Sequence, residues 1–77
     1  MTREEMMVEV KEYIQGKVHF TYEHLQEHIF GKRMKKVDEV LMMDRCLLTL
    51  IHKGQINPVL TVDEHLSYFV NDFNTKL

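Results

Sequence analysis

The chain has 77 residues, 44% of them hydrophobic and 29% charged, with a formal charge of −2. One cysteine excludes an internal disulfide framework and a cysteine-rich zinc site. The 12 acidic and 10 basic side chains exclude a generically basic nucleic-acid binder, though not a local basic patch.

Residues 3–15 read as a first helix. Met6, Val10, Tyr13 and Ile14 form one apolar stripe, with Met7 beside them. Thr2 is placed to cap it, Glu4 and Glu5 suit its first turn, and Gly16 stops it. Residues 17–20 alternate, with Val18 and Phe20 on one side and Lys17 and His19 on the other, which suits a brief strand. Thr21 then caps a second helix that runs to Phe30, with Tyr22, Leu25 and Ile29 as its apolar face and Gly31 as its end.

A basic turn follows over residues 32–36, and a third helix is predicted from near Lys35 to Lys53, before Gly54. Val37, Val40, Leu41, Leu47, Leu48, Leu50 and Ile51 form the predicted buried half of this helix. The predicted exposed half carries Lys35, Asp38, Glu39, Met42, Arg45, Cys46, Thr49, His52 and Lys53. Asp44 falls inside the apolar arc, where a charge needs a partner. Arg33, Lys17, or a hydroxyl of Tyr13 or Tyr22 are the available ones, within the fold or across a dimer interface.

Beyond Gly54 the pattern turns extended. Pro58 confines residues 55–60 to a sheet edge or a strand end. Residues 61–64 make a turn, and His65 to Val70 form a strand rich in aromatic and β-branched side chains. The tail, residues 71–77, is polar apart from Phe73 and Leu77, and it frays or adds a short helix. The whole chain reads as a single domain.

Three stretches give this order a likeness. Val18-His19-Phe20-Thr21 resembles the short strand leading into a second helix. Residues 47–56, read L-L-x-L-I-x-x-G-x-I, resemble a third helix entering a first wing strand, and Leu66-Ser67-Tyr68-Phe69-Val70 resembles the returning strand. Over residues 3–70 the chain resembles the winged helix-turn-helix superfamily. That resemblance implies a small α+β fold of three helices and a β-hairpin wing. An αββ-containing domain of another topology is the structural alternative.

The resemblance also implies a third helix that enters the DNA major groove. Residues 32–53 hold six basic against three acidic side chains, a net of +3, while the rest of the chain has a net of −5. On this reading the chain is a small DNA-binding transcriptional regulator. Lys32, Arg33, Lys35 and Lys36 hold phosphates, Arg45 and Thr49 meet base edges, and Met42 meets a thymine methyl. Against it, Asp38 and Glu39 occupy the exposed side of the reading helix, and Asp63 and Glu64 lie near the tip of a wing without Lys or Arg.

The alternative is a non-enzymatic protein-interaction module that has lost DNA binding. Leu60, Val62, Phe73 and Leu77 cluster late in the chain without a clear place in a three-helix core, and Val8 lies off the first helix's stripe. Six methionines offer adaptable contacts, although Met6, Met7, Met34 and Met43 also suit gaps in the core. A core this small supplies only about 3–5 kcal/mol, so a homodimer is expected.

No catalytic set or glycine-rich phosphate loop is visible, so no enzymatic activity and no cofactor is expected. His24 and His28 share a helix face, but a metal needs a further ligand, from His19 or another chain. Cys46 beside Arg45 is placed for a lowered thiol pKa on the exposed arc, without a catalytic partner. The charged start Met1-Thr2-Arg3-Glu4-Glu5 is unlike a secretory signal, and no apolar run reaches the roughly 18 residues of a membrane span. The expected location is cytoplasmic.

Overall fold

A computed structural model of the chain describes residues 1–31, 36–63 and 65–71. The first helix, α1, spans Arg3–Ile14 and starts on a full capping box. The Glu5 amide donates to the Thr2 hydroxyl at 3.1 Å, and the Thr2 amide donates to the Glu5 carboxylate at 2.7 Å. The bond from the Thr2 amide, with the Thr2 hydroxyl adding to it, holds the Glu5 carboxyl below its ordinary range. Met6, Val10 and Ile14 form the buried stripe, and Met7 and Tyr13 pack beside it.

Strand β1, His19–Thr21, feeds directly into helix α2, Tyr22–Phe30. The Thr21 hydroxyl accepts from the His24 amide at 3.1 Å, the cap expected of it. Phe20 is buried, but Val18 is 73% exposed, so the predicted pairing of the two on one inward face fails. Val18 lies just outside the strand and contributes its carbonyl, which accepts from the Val70 amide. In α2 the buried face holds Leu25, Ile29 and also Phe30, which the predicted stripe omitted.

Helix α3 spans Val37–His52. Its buried side chains are Met43, Cys46, Leu47 and Leu50, with Val40, Met42 and Ile51 packed against the same core. This corrects the expected orientation of the helix. Cys46, expected outside, is 1% exposed, and Val37, Leu41 and Leu48, expected inside, all face solvent. At about 100° per residue the buried arc is turned by roughly 70° toward Met42 and Cys46.

The chain leaves α3 through Gly54, whose φ of +73 favours glycine. A Cβ there would meet nothing within 4 Å, so the backbone conformation alone calls for glycine. Strands β2, Ile56–Leu60, and β3, Leu66–Val70, form the hairpin. The sheet is antiparallel in the order β1-β3-β2, with Phe20 opposite Tyr68 and Pro58 opposite Tyr68 on the other side. Phe20 and Tyr68 stack at 5.0 Å and seal the helices from below, with Tyr13 edge-on to Phe20.

Pro58 sits on the edge strand, as expected, and its position there is specific. The Gln55 carbonyl accepts from the Asn71 amide and the Thr61 amide donates to the His65 carbonyl. Alternation between those bonds turns the backbone of Asn57 and Val59 toward β3 and that of Pro58 outward. The missing N–H therefore lies on the open edge, where a further strand would need it.

This is an α+β domain of three helices and a three-stranded sheet, the arrangement expected of a winged helix-turn-helix. Among the described residues no helix is long and apolar enough to cross a membrane. Thr2→Ala removes the side-chain half of the capping box and is expected to cost about 1 kcal/mol. In a domain of this size that lowers the thermal midpoint by several degrees, which a circular-dichroism melt will read.

Candidate interaction surface

The orientation of α3 is pinned at two places. Cys46 is the smallest side chain on its buried arc and faces the core that α1 shares, where a longer side chain would hold the helices apart. Asp44 lies half-buried at the edge of that arc, and the Tyr22 hydroxyl donates to its carboxylate at 2.5 Å. This is one of the partners the sequence offered for Asp44, and it ties α2 to α3 inside the fold. Burial raises the Tyr22 hydroxyl far above its ordinary pKa of 10.0, and the bond to Asp44 and its negative charge add to the shift. Burial, and then Asp44, also push up Tyr68.

The outward face of α3 is what remains. Val37 is 73% exposed, Leu41 52% and Leu48 54%. Asp38, Arg45 and His52 are exposed along one flank of this stripe. Arg3, Asp38, Leu41, Met42 and Arg45 line a shallow depression on the same flank. The sequence reading assigned these three apolar residues to the core because hydrophobicity alone centres the arc on them. The sequence signal is Asp44: taken as an edge of the buried arc and not its middle, it leaves two arcs, and the position of Tyr22 chooses the one toward Met43 and Cys46.

Of the residues expected to read DNA, the described ones are not all open to a ligand. Lys32, Arg33 and Lys35 lie outside the described residues. Lys36 is the exposed N-cap residue of α3, with Asp38 and Glu39 in the first turn after it. Glu39 faces the amino terminus of Met1 at 3.6 Å. Met42, expected outside, is half-buried and packs on the core. Thr49 is also half-buried, and its hydroxyl donates to the Arg45 carbonyl at 3.0 Å, which occupies its proton. Arg45 is exposed as expected.

Of the expected partner-binding residues, Leu60 and Val62 are exposed at the wing tip beside Asp63, while Phe73, Leu77 and Glu64 lie outside the described residues. Val8 is exposed on α1, and Met34 too lies outside the description. The His28 ring lies tilted 4.7 Å from Tyr13, which also has the Lys17 ammonium 4.5 Å from its ring centre. Among the described residues no three His, Cys, Asp or Glu side chains come together as metal ligands. The Cys46 thiol is pushed up by burial, an effect that the Arg3 charge only offsets, so the expected lowering by Arg45 is corrected.

No protein family, curated protein or solved structure matches the chain, so its likeness to winged-helix proteins is one of architecture.

These environments set three measurable outcomes. Because Tyr13, Tyr22 and Tyr68 are all raised, the folded chain holds protons that the unfolded chain releases. Stability is therefore full below about pH 10 and falls as the pH rises above it, which urea melts between pH 8 and 11 will show. Tyr22→Phe costs about 1–3 kcal/mol at neutral pH by leaving Asp44 without its donor, and its alkaline decline is shallower. Cys46 in the native chain should react with a thiol reagent such as DTNB at least about 100-fold more slowly than in urea.

Proposed function

We propose that this chain is a non-enzymatic protein-interaction module on a winged-helix scaffold, and that the outward face of α3 is its docking surface. The observation that carries this reading is the open stripe of Val37, Leu41 and Leu48. A winged helix that reads DNA presents polar side chains there, able to meet base edges and phosphates. Apolar side chains in that place gain nothing from phosphates and little from bases beyond thymine methyls. They gain most from a partner that removes them from water. The wing supports the same reading, since Leu60 and Val62 are exposed beside Asp63 and the sequence from Gly54 to Val70 holds no Lys or Arg for a phosphate.

A second use of the helix, as a small DNA-binding regulator, has exposed Arg45 and Lys36 and the net +3 of residues 32–53 in its favour. The two readings separate in a fluorescence-anisotropy titration of labelled random duplex at low and moderate salt. Four phosphate contacts give a log–log slope near about −3.6, so affinity rises on the order of 100-fold between about 200 and 50 mM salt. For an interaction module we expect weak binding with a slope shallower than about −1. A steep slope that Lys35→Glu with Lys36→Glu abolishes overturns the proposal. Its positive arm is a photocrosslinking residue at position 48, which should yield a discrete protein adduct that the same residue at Glu12 does not.

A further inference from the structure

Resting on the docking reading, we infer that the partner of this face is a second copy of the chain, with the two α3 helices packed antiparallel across a two-fold axis near residue 42. The reason is that the face is complementary to itself. In an antiparallel two-fold pair, each flank of a helix meets the same flank of its copy. Asp38 and Arg45 share one flank, seven residues apart, with the apolar stripe beside them. With the axis near residue 42, Asp38 lies opposite the partner's Arg45, and Arg45 opposite the partner's Asp38. Val37 lies opposite the partner's Leu48, and Leu41 lies beside the axis against the partner's Leu41. The Asp38–Arg45 and Val37–Leu48 pairings fall within about 1.5 Å, one residue's rise, of their ideal heights along the helix, and the two Leu41 side chains within about 3 Å.

Charge and hydrophobicity therefore select the same axis, although they come from different residues. A parallel two-fold pair would set this flank against the opposite flank of the partner's helix, away from the partner's Asp38 and Arg45, and would leave the charges unmatched. An axis shifted by half a helix would leave the stripe facing charge. The flank is also open: Arg3, Asp38, Leu41, Met42 and Arg45 line its depression, and no ion pair among the described residues occupies either Asp38 or Arg45. A contact built on one helix face lies at the small end of protein interfaces, so the expected dimer is weak, with Kd on the order of tens of micromolar.

Sedimentation equilibrium of the full chain, from about 5 to about 500 μM, brackets that Kd. We expect a monomer–dimer equilibrium. Leu41→Asp should raise Kd at least about 50-fold. Asp38→Arg and Arg45→Asp should each weaken the dimer about tenfold through two like-charge contacts, and the double reversal should return Kd to within about threefold of the original. Circular dichroism confirms that each variant is folded, and Leu41 is exposed enough for Asp to leave the core intact. A wild-type chain that stays monomeric, a dimer indifferent to Leu41→Asp, or a double reversal that fails to rescue overturns this assignment. A monomer whose position-48 crosslinker still captures a different protein overturns the second copy and leaves the docking reading standing. A monomer that captures nothing overturns both.

Discussion

The hydrogen bond from Tyr22 to Asp44 and the small side chain of Cys46 together set the rotation of α3, and the surface of the domain follows from that rotation. A carboxylate on an otherwise apolar arc has to find a donor, and the donor that α2 supplies lies to one side of the helix. With Asp44 at the edge of the arc, its centre passes to Met43, and Cys46 comes inward against the core shared with α1. Packing density then does the rest. A core this small has little slack, and a turn of the helix that brought Leu41 or Leu48 in would expel Cys46 and Met42 and strand the carboxylate. The open stripe is the consequence of satisfying one buried charge.

That consequence matters because α3 has more apolar side chains than one arc can bury. Its sixteen residues include Val37, Val40, Leu41, Met42, Met43, Leu47, Leu48, Leu50 and Ile51. A helix apolar around most of its circumference belongs either in the middle of a large core or between two partners. Here the core lies on one side only, since α1, α2 and the sheet all pack against the same half of the domain. The excess hydrophobicity is left on the outward face of α3, with Asp38 and Arg45 beside it.

Much of the fold was legible because its signals are local. Thr2 and Thr21 cap helices by hydrogen bonds within three residues, and both act as the sequence indicates. Gly16, Gly31 and Gly54 mark turns for a reason of backbone conformation that no tertiary contact alters. Pro58 announces an edge strand by the donor it lacks. The buried stripe of α1 was legible because Glu4, Glu5, Glu9, Lys11 and Glu12 leave it no alternative. In α3 the same reasoning went astray because two arcs are apolar and only a tertiary contact chooses between them. The partnership of Asp44 was foreseen, yet its effect on rotation depends on where Tyr22 stands, which is a fact of α2. Val18 was misplaced for a related reason: alternation gives the faces of a strand, but the strand here starts two residues later than the alternating segment, at His19.

The two apolar exposures of the domain are treated differently, and the difference bears on what α3 is for. The edge strand β2 carries Val59 and Leu60 and would invite another strand to pair. It is guarded by Pro58, which removes a donor from its open side, and by the exposed Asp63 in the hairpin turn. The face of α3 has no such guard. A lysine at position 41 or 48 would cost the core nothing, because neither residue is buried, and would remove the stripe. The flanking charges, Asp38 and Arg45, do not repel a neighbour as a like-charged pair would; they are of opposite sign, seven residues apart on one flank, which is the spacing on which the proposed pairing of two copies rests. Protection at the sheet edge, and complementarity without protection on the helix, are the pattern of a surface that excludes one kind of contact and keeps another open.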